Sequence, residues 1–183
     1  KGLGQEIEIF AEKVTEPYPG SRGVGTGMSC GVDSFATLYE YTELCSLPDY
    51  KLTHLTHFNV GAHHGQTGTF DAGLQRKLYQ KDVAMVQKFC DTYGYQLVTV
   101  DSNLTEVLDR FWGYVPFSAT HTYRNVGTVL LLQKLFSKYY YSPAYNLDHF
   151  ICKLGEDTAA YEKYLLPNLC TETTSFYNSN RSW

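Results

Sequence analysis

Six consecutive residues, Ser29-Cys30-Gly31-Val32-Asp33-Ser34, bring together the small and polar side chains that phosphate chemistry needs. Small residues let main-chain N–H groups approach an anion closely, and the first amides of a following helix add unpaired donors and a positive dipole end. Ser29 and Ser34 contribute hydroxyl donors. Asp33 is the odd member, because a carboxylate beside a phosphate is repulsive unless a divalent cation bridges the two. Asp33 therefore implies Mg²⁺. A plainer reading of the same residues is a strand–turn–helix connection in which Asp33 or Ser34 serves only as an N-cap. Residue types alone leave both readings open.

The elements that must position this loop follow from periodicity. Gly23 to Met28 is small and apolar, as a tightly packed strand would be, and a helical pattern with Phe35, Leu38, Thr42 and Cys45 on one face follows the loop. Leu52 to Val60 reads as a second strand, and Gly61 to Gly73 as a loop carrying His63 and His64. A helix from about Gly73 to Tyr93 has Val83, Val86, Phe89, Cys90 and Tyr93 as its stripe, with Gly94 at the C′ position. Tyr95 to Val100 is an unbroken β-rich run of the kind buried in parallel sheets. Asp101, Ser102 or Asn103 can cap a helix after it, with Glu106 placed to reach back. Thr122 to Lys138 reads as a helix apolar on nearly all sides in its middle, hence central and covered. Further strands are expected over 138–145 and near 171–177, and a short lead-in helix within 1–16.

Alternation of strand and helix predicts an α/β fold: a Rossmann-like three-layer α/β/α sandwich with a mostly parallel sheet of about five strands. One domain is expected over 1–183, with 1–20 as lead-in and 21–183 as core. In such sheets ligands bind beyond the carboxyl ends of the strands where strand order reverses, which points to the loops after strands one, two and four.

Composition narrows the classes. Apolar residues at 43% and charged residues at 19% suit a packed core and exclude a disordered chain. A net charge of −4 carries no general nucleic-acid footprint, although a local basic patch for RNA stays open. The densest apolar run, Val129 to Leu132, is interrupted at Gln133 and falls far short of the ~20 residues of a membrane span. Five cysteines, odd in number and without a C-x-x-C pair, give neither a disulfide framework nor a cysteine-rich zinc site. A reducing, cytoplasmic setting is expected from them. The chain starts at Lys1 and ends on the polar run Asn178 to Trp183, so it is expected to be an excised part of a longer protein.

The loop, behind its apolar strand, resembles the Ser-Gly-Gly-x-Asp-Ser PP-loop of the ATP pyrophosphatases, which cleave ATP between the α and β phosphates. That superfamily includes the synthetases of GMP, NAD and argininosuccinate, tRNA-thiolating enzymes and 7-cyano-7-deazaguanine synthase. Cys30 departs from the motif, standing where Gly is commonest; it is expected to point into packing. The Walker lysine is absent. Arg124-Asn125 is similar to the Arg-Asn pair of the 7-cyano-7-deazaguanine synthase branch, and the likeness spans about residues 20–180. The resemblance implies that Ser29, Cys30, Gly31, Val32, Asp33 and Ser34 receive pyrophosphate, with Asp33 on Mg²⁺, and that the backbone of Phe58-Asn59-Val60 receives adenine. It implies ATP and Mg²⁺ as cofactors, a phosphate contact from Arg124, and catalytic roles for Asp33, Ser34 and Arg124. The implied reaction adenylates a substrate oxygen and releases pyrophosphate, before amidation, ligation or thiolation. The alternative is a non-catalytic ATP- or AMP-binding sensor module of the same fold.

His63 and His64 are candidates for the acceptor substrate, and His121, three residues before Arg124, for a place near the phosphates. His57 reads as structural, and a joint metal site of the adjacent His63 and His64 is not expected. Asp148-His149 and Glu156-Asp157 fall where the resemblance implies substrate-specific loops, most of their charges being expected to be solvated and inert, and Cys152 and Cys170 read as structural rather than as a persulfide carrier. Expected partners are a small-molecule or carrier-bound acceptor, with tRNA and self-association left open and no membrane. The resemblance also implies a zinc-binding cysteine cluster in a further C-terminal segment.

Overall fold

The structure is a computed structural model, and it describes residues 22–63, 71–112, 117–142 and 175–178. The expected lead-in helix, His64, Asp148-His149, Cys152, Glu156-Asp157 and Cys170 lie outside the described residues. Five strands are described: β1 (Gly23–Gly27), β2 (His54–Asn59), β3 (Gln96–Asp101), β4 (Phe136–Tyr141) and β5 (Ser175–Asn178). The helices are α1 (Val32–Glu40), α2 (Ala72–Tyr93), α3 (Leu104–Trp112) and α4 (Phe117–Leu131).

The strands form one sheet in the order β3-β2-β1-β4-β5, with every neighbouring pair parallel. The chain thus builds outward from β1 to β3, returns, and adds β4 and β5 on the other side of β1. The reversal lies between β1 and β4, where an open parallel sheet leaves a crevice at its carboxyl edge.

Two apolar clusters sandwich the sheet. On one face Val24, Leu55 and Tyr140 pack with Leu38 of α1 and with Val86 and Cys90 of α2. On the other, Phe58, Val60, Phe136, Tyr139 and Tyr141 pack with Val126 and Val129 of α4 and with Leu104 of α3. Strand side chains alternate between faces, so Tyr140 belongs to one cluster and its neighbours Tyr139 and Tyr141 to the other. An irregularity in the pairing, where Gly23 matches Phe136 but Val24 matches Lys138, lets Phe136 share the face of Tyr139, three residues on. The glycines of β1 make room for these rings: a Cβ on Gly25 would lie 2.6 Å from Phe136 Cε1 and 3.0 Å from Tyr139 Cδ2.

Three sequence expectations are corrected. The run over 95–100 is an edge strand with half-exposed and exposed residues, because the strand order places β3 outermost. The helix expected over 122–138 runs earlier, over Phe117–Leu131, and is covered on one face only, with Tyr123 48% and Leu131 84% exposed. The helix after the loop stops at Glu40, so Thr42 and Cys45 do not extend its stripe. Gly94 does end α2, at φ 78°, with its N–H donating to the Cys90 carbonyl.

Candidate functional site

At the carboxyl edge a cavity of about 420 Å³ opens over the reversal point. Its lining draws on the end of β1 (Gly27, Met28), the following loop and helix (Ser29, Asp33, Ser34), and the end of β4 (Tyr141, Ser142). Thr56, His57 and Phe58 of β2, and Asn125 of α4, contribute from either side. Thr37 of α1 and Ser142 join their hydroxyls at 2.7 Å, tying helix to strand end beside this cavity.

The loop is held by its own hydroxyls. Ser29 Oγ accepts from the Gly31 N–H at 3.3 Å and donates to Ser34 Oγ at 3.4 Å, while Ser34 Oγ donates to the Gly31 carbonyl at 2.8 Å. Gly31 is itself the N-cap of α1, and no side chain caps the helix. Neither Asp33 nor Ser34 is the cap that the plainer reading required. Both line the cavity instead. Cys30 adopts φ 58°, in the left-handed region that favours glycine, and its side chain packs against the Met28–Leu38–Val86–Cys90 cluster, not into the cavity. Burial, and then the charge of Asp82, push its thiol pKa up.

The expected adenine segment has a mixed placement. Phe58 lines the cavity and Val60 is fully in the core. Asn59 Nδ2 donates to Asp101 Oδ1 at 2.7 Å, and the Asn59 carbonyl accepts from Ser102 Oγ at 2.8 Å. Arg124, expected at the phosphates, is only 5% exposed. Its Nη1 donates to the Val60 carbonyl at 3.0 Å and to Thr105 Oγ1 at 3.2 Å, and its Nε donates to Thr120 Oγ1 at 2.7 Å. Asn125, not Arg124, faces the cavity. Gly61 has φ 122° and passes directly under the guanidinium, where a Cβ would collide with Arg124 Nη1. His121 stands beside the wall, its Nδ1 3.0 Å from Tyr141 Oη, and burial lowers its pKa.

A cluster that sequence reading passed over lies in the same cavity. His57 of β2, His63 after β2 and Asp82 of α2 bring one ligand atom each within 4.8 Å of one another. His57 Nδ1 lies 2.8 Å from the Met28 carbonyl, which can only accept, so Nδ1 carries the proton and Nε2 presents a lone pair. His63 Nε2 lies 3.1 Å from Asp82 Oδ2. Nothing in the sequence links residue 57 to residue 82; only the packing of α2 on the sheet does.

The described cavity lining includes the carboxylates of Asp33 and Asp82 but no lysine or arginine. A polyphosphate there would need a cation, and Asp33, lining the same cavity as the hydroxyls of Ser29 and Ser34, is the hard oxygen donor that would suit Mg²⁺. Of the described cysteines, Cys30, Cys45 and Cys90 are free, and no three cysteines converge among the described residues.

No family model matches the chain, and no curated protein matches it in sequence. Among solved structures it is similar to the U34-tRNA thiolase NcsA from Methanococcus maripaludis, determined with its [4Fe-4S] cluster, at a TM-score of 0.52 and 18% identity. The match covers 88% of this chain and 52% of that one, so the chain spans about half the length of its structural neighbour. The shared feature is the fold, a Rossmann-like α/β/α sandwich.

Proposed function

We propose that the chain is the nucleotide-binding domain of a PP-loop ATP pyrophosphatase-type enzyme, and that it binds Mg–ATP in the carboxyl-edge cavity. The observation that carries this reading is the pairing of an uncapped helix N-terminus with Asp33 and Ser34 in one cavity at the strand-order reversal. Main-chain amides of residues 31–34 and the hydroxyls of Ser29 and Ser34 receive the β and γ phosphates. Asp33 would hold Mg²⁺, which when bound would neutralise charge on the phosphates. Phe58 and the adjacent backbone form the adenine wall, and Arg124 acts on that wall by fixing Val60 rather than by touching phosphate.

In the reaction a substrate oxygen attacks the α phosphorus, the bond to the β-phosphate oxygen breaks, and pyrophosphate leaves with that electron pair. The substrate remains as an adenylate, from which a second nucleophile displaces AMP. The fold supplies positioning and donors aimed at developing phosphate charge, which is most of what such a transfer requires. The acceptor is a small molecule or a carrier-bound group. NcsA acts on tRNA, so sulfur transfer joins amidation and ligation among the second steps that this reading covers.

The test is pyrophosphate release from ATP by the full-length protein, with metabolite and tRNA pools as acceptors. Equimolar pyrophosphate and AMP, lost in Asp33→Asn, support the enzyme. ATP binding with no pyrophosphate from any pool would instead support a sensor module.

A further inference from the structure

We infer that His57, His63 and Asp82 form a second metal site, distinct from the Asp33 position, that takes a divalent transition ion of the zinc or cobalt class. The inference stands apart from the nucleotide reading, since it concerns ion binding by the protein alone.

The two buried rings frame the site. Among the described residues His57 Nε2 and His63 Nδ1 are shielded from solvent and without a hydrogen-bond partner, while the other nitrogen of His63, Nε2, faces Asp82 Oδ2 at 3.1 Å. The His63 side chain is 8% exposed. A buried imidazole nitrogen left unpaired is costly, so His57 Nε2, in a cluster with the His63 ring and the Asp82 carboxylate, calls for an occupant. The Met28 carbonyl holds His57 in the tautomer whose Nε2 lone pair faces the cluster, the same outer-shell arrangement that orients metal-bound histidines. Asp82 supplies the anionic oxygen, 39% exposed on its side chain.

The supports are firm. His57 sits within β2, Asp82 within α2, and Tyr79 stacks on His57 at 5.7 Å while donating to its carbonyl at 3.4 Å. Drawing the ligand atoms from at most 4.8 Å to the roughly 3.4 Å separation around a tetrahedral ion takes small side-chain rotations. Two imidazoles and one carboxylate favour zinc-class ions over Mg²⁺, which prefers oxygen throughout. Three protein ligands leave a fourth position, and the cavity that all three line offers it to water or to an acceptor.

The probe is Co²⁺, followed by visible absorption, with Zn²⁺ in competition, added to chelator-stripped protein in the absence of nucleotide. One equivalent of Co²⁺ with the spectrum of a nitrogen–oxygen site is expected, displaced by Zn²⁺. His57→Gln, His63→Ala and Asp82→Asn should each weaken binding by about tenfold or more. Asp82→Asn, at a partly exposed position, keeps the test decisive if a histidine variant does not fold. Absence of stoichiometric binding, binding unchanged in the folded variants, or a thiolate-to-cobalt charge-transfer band would overturn the inference.

Discussion

Arg124 reaches from α4 to the end of β2 and donates a 3.0 Å hydrogen bond to the main-chain carbonyl of Val60, directly over Gly61. The same guanidinium holds Thr105 of α3 and Thr120 of α4, so one buried cation fastens three elements at the rim of the cavity. Arg124→Ala is expected to cost about 2–4 kcal/mol, because several charge-assisted hydrogen bonds are lost and their acceptors stay buried. Arg124→Lys should recover only part, since a single ammonium cannot span the planar set of acceptors. Gly61→Ala should destabilise wild type more than it destabilises Arg124→Ala, where the collision with Nη1 is gone. Urea denaturation of the four proteins as a double-mutant cycle checks this; additive costs would contradict it.

Cys30 sits at φ 58° where glycine is at ease, and a left-handed non-glycine residue costs roughly 1–2 kcal/mol. Cys30→Gly should therefore hold stability level or raise it by up to about 1 kcal/mol, relief of strain being offset by lost packing. Cys30→Val, β-branched, should destabilise. With its pKa raised by burial and by Asp82, the native thiol should be alkylated more slowly near neutral pH than in the unfolded chain. Equal alkylation rates in folded and unfolded protein would show that Cys30 is not packed as described.

Much of the architecture was legible in the sequence. The glycine-rich strand, the loop at 29–34, the second strand and the long helix ending at Gly94 all announce themselves locally through small residues, periodicity and a C′ glycine. Strand order does not announce itself. The run over 95–100 carries the apolar content of an interior strand yet lies at the edge, because its position depends on which strand pairs with which. The site divides in the same way. The contiguous hexapeptide was readable, while the His57–His63–Asp82 cluster joins residues from β2, its following loop and α2, and exists only once the helix packs on the sheet. Arg124 was legible as a notable residue, but its partners, Val60 and Thr105, are set by the fold alone.

Acid should weaken the fold earlier than carboxylate protonation would. Burial lowers the pKa of His54 and of His121 below the ordinary value near 6.5. The unfolded chain then binds more protons than the native one below about pH 6.5, so stability rises with pH there. The contribution is complete above about pH 7 and is lost as pH falls through 6.5 toward the lowered native values. The urea midpoint at about pH 5.5 should lie below that at about pH 7.5; an equal or higher midpoint would contradict the burial of these rings.

The central claim is that Asp33 and the loop around it bind Mg–ATP, and calorimetric titration tests it most directly. ATP with and without Mg²⁺ is titrated into wild type and into Asp33→Asn, whose shape is conserved while its charge is lost. The account predicts binding that requires Mg²⁺ in wild type and weakens at least about tenfold in the variant, the scale of losing one charge-assisted contact. Magnesium-independent binding, binding untouched by Asp33→Asn, or no binding by wild type at millimolar ATP would contradict it.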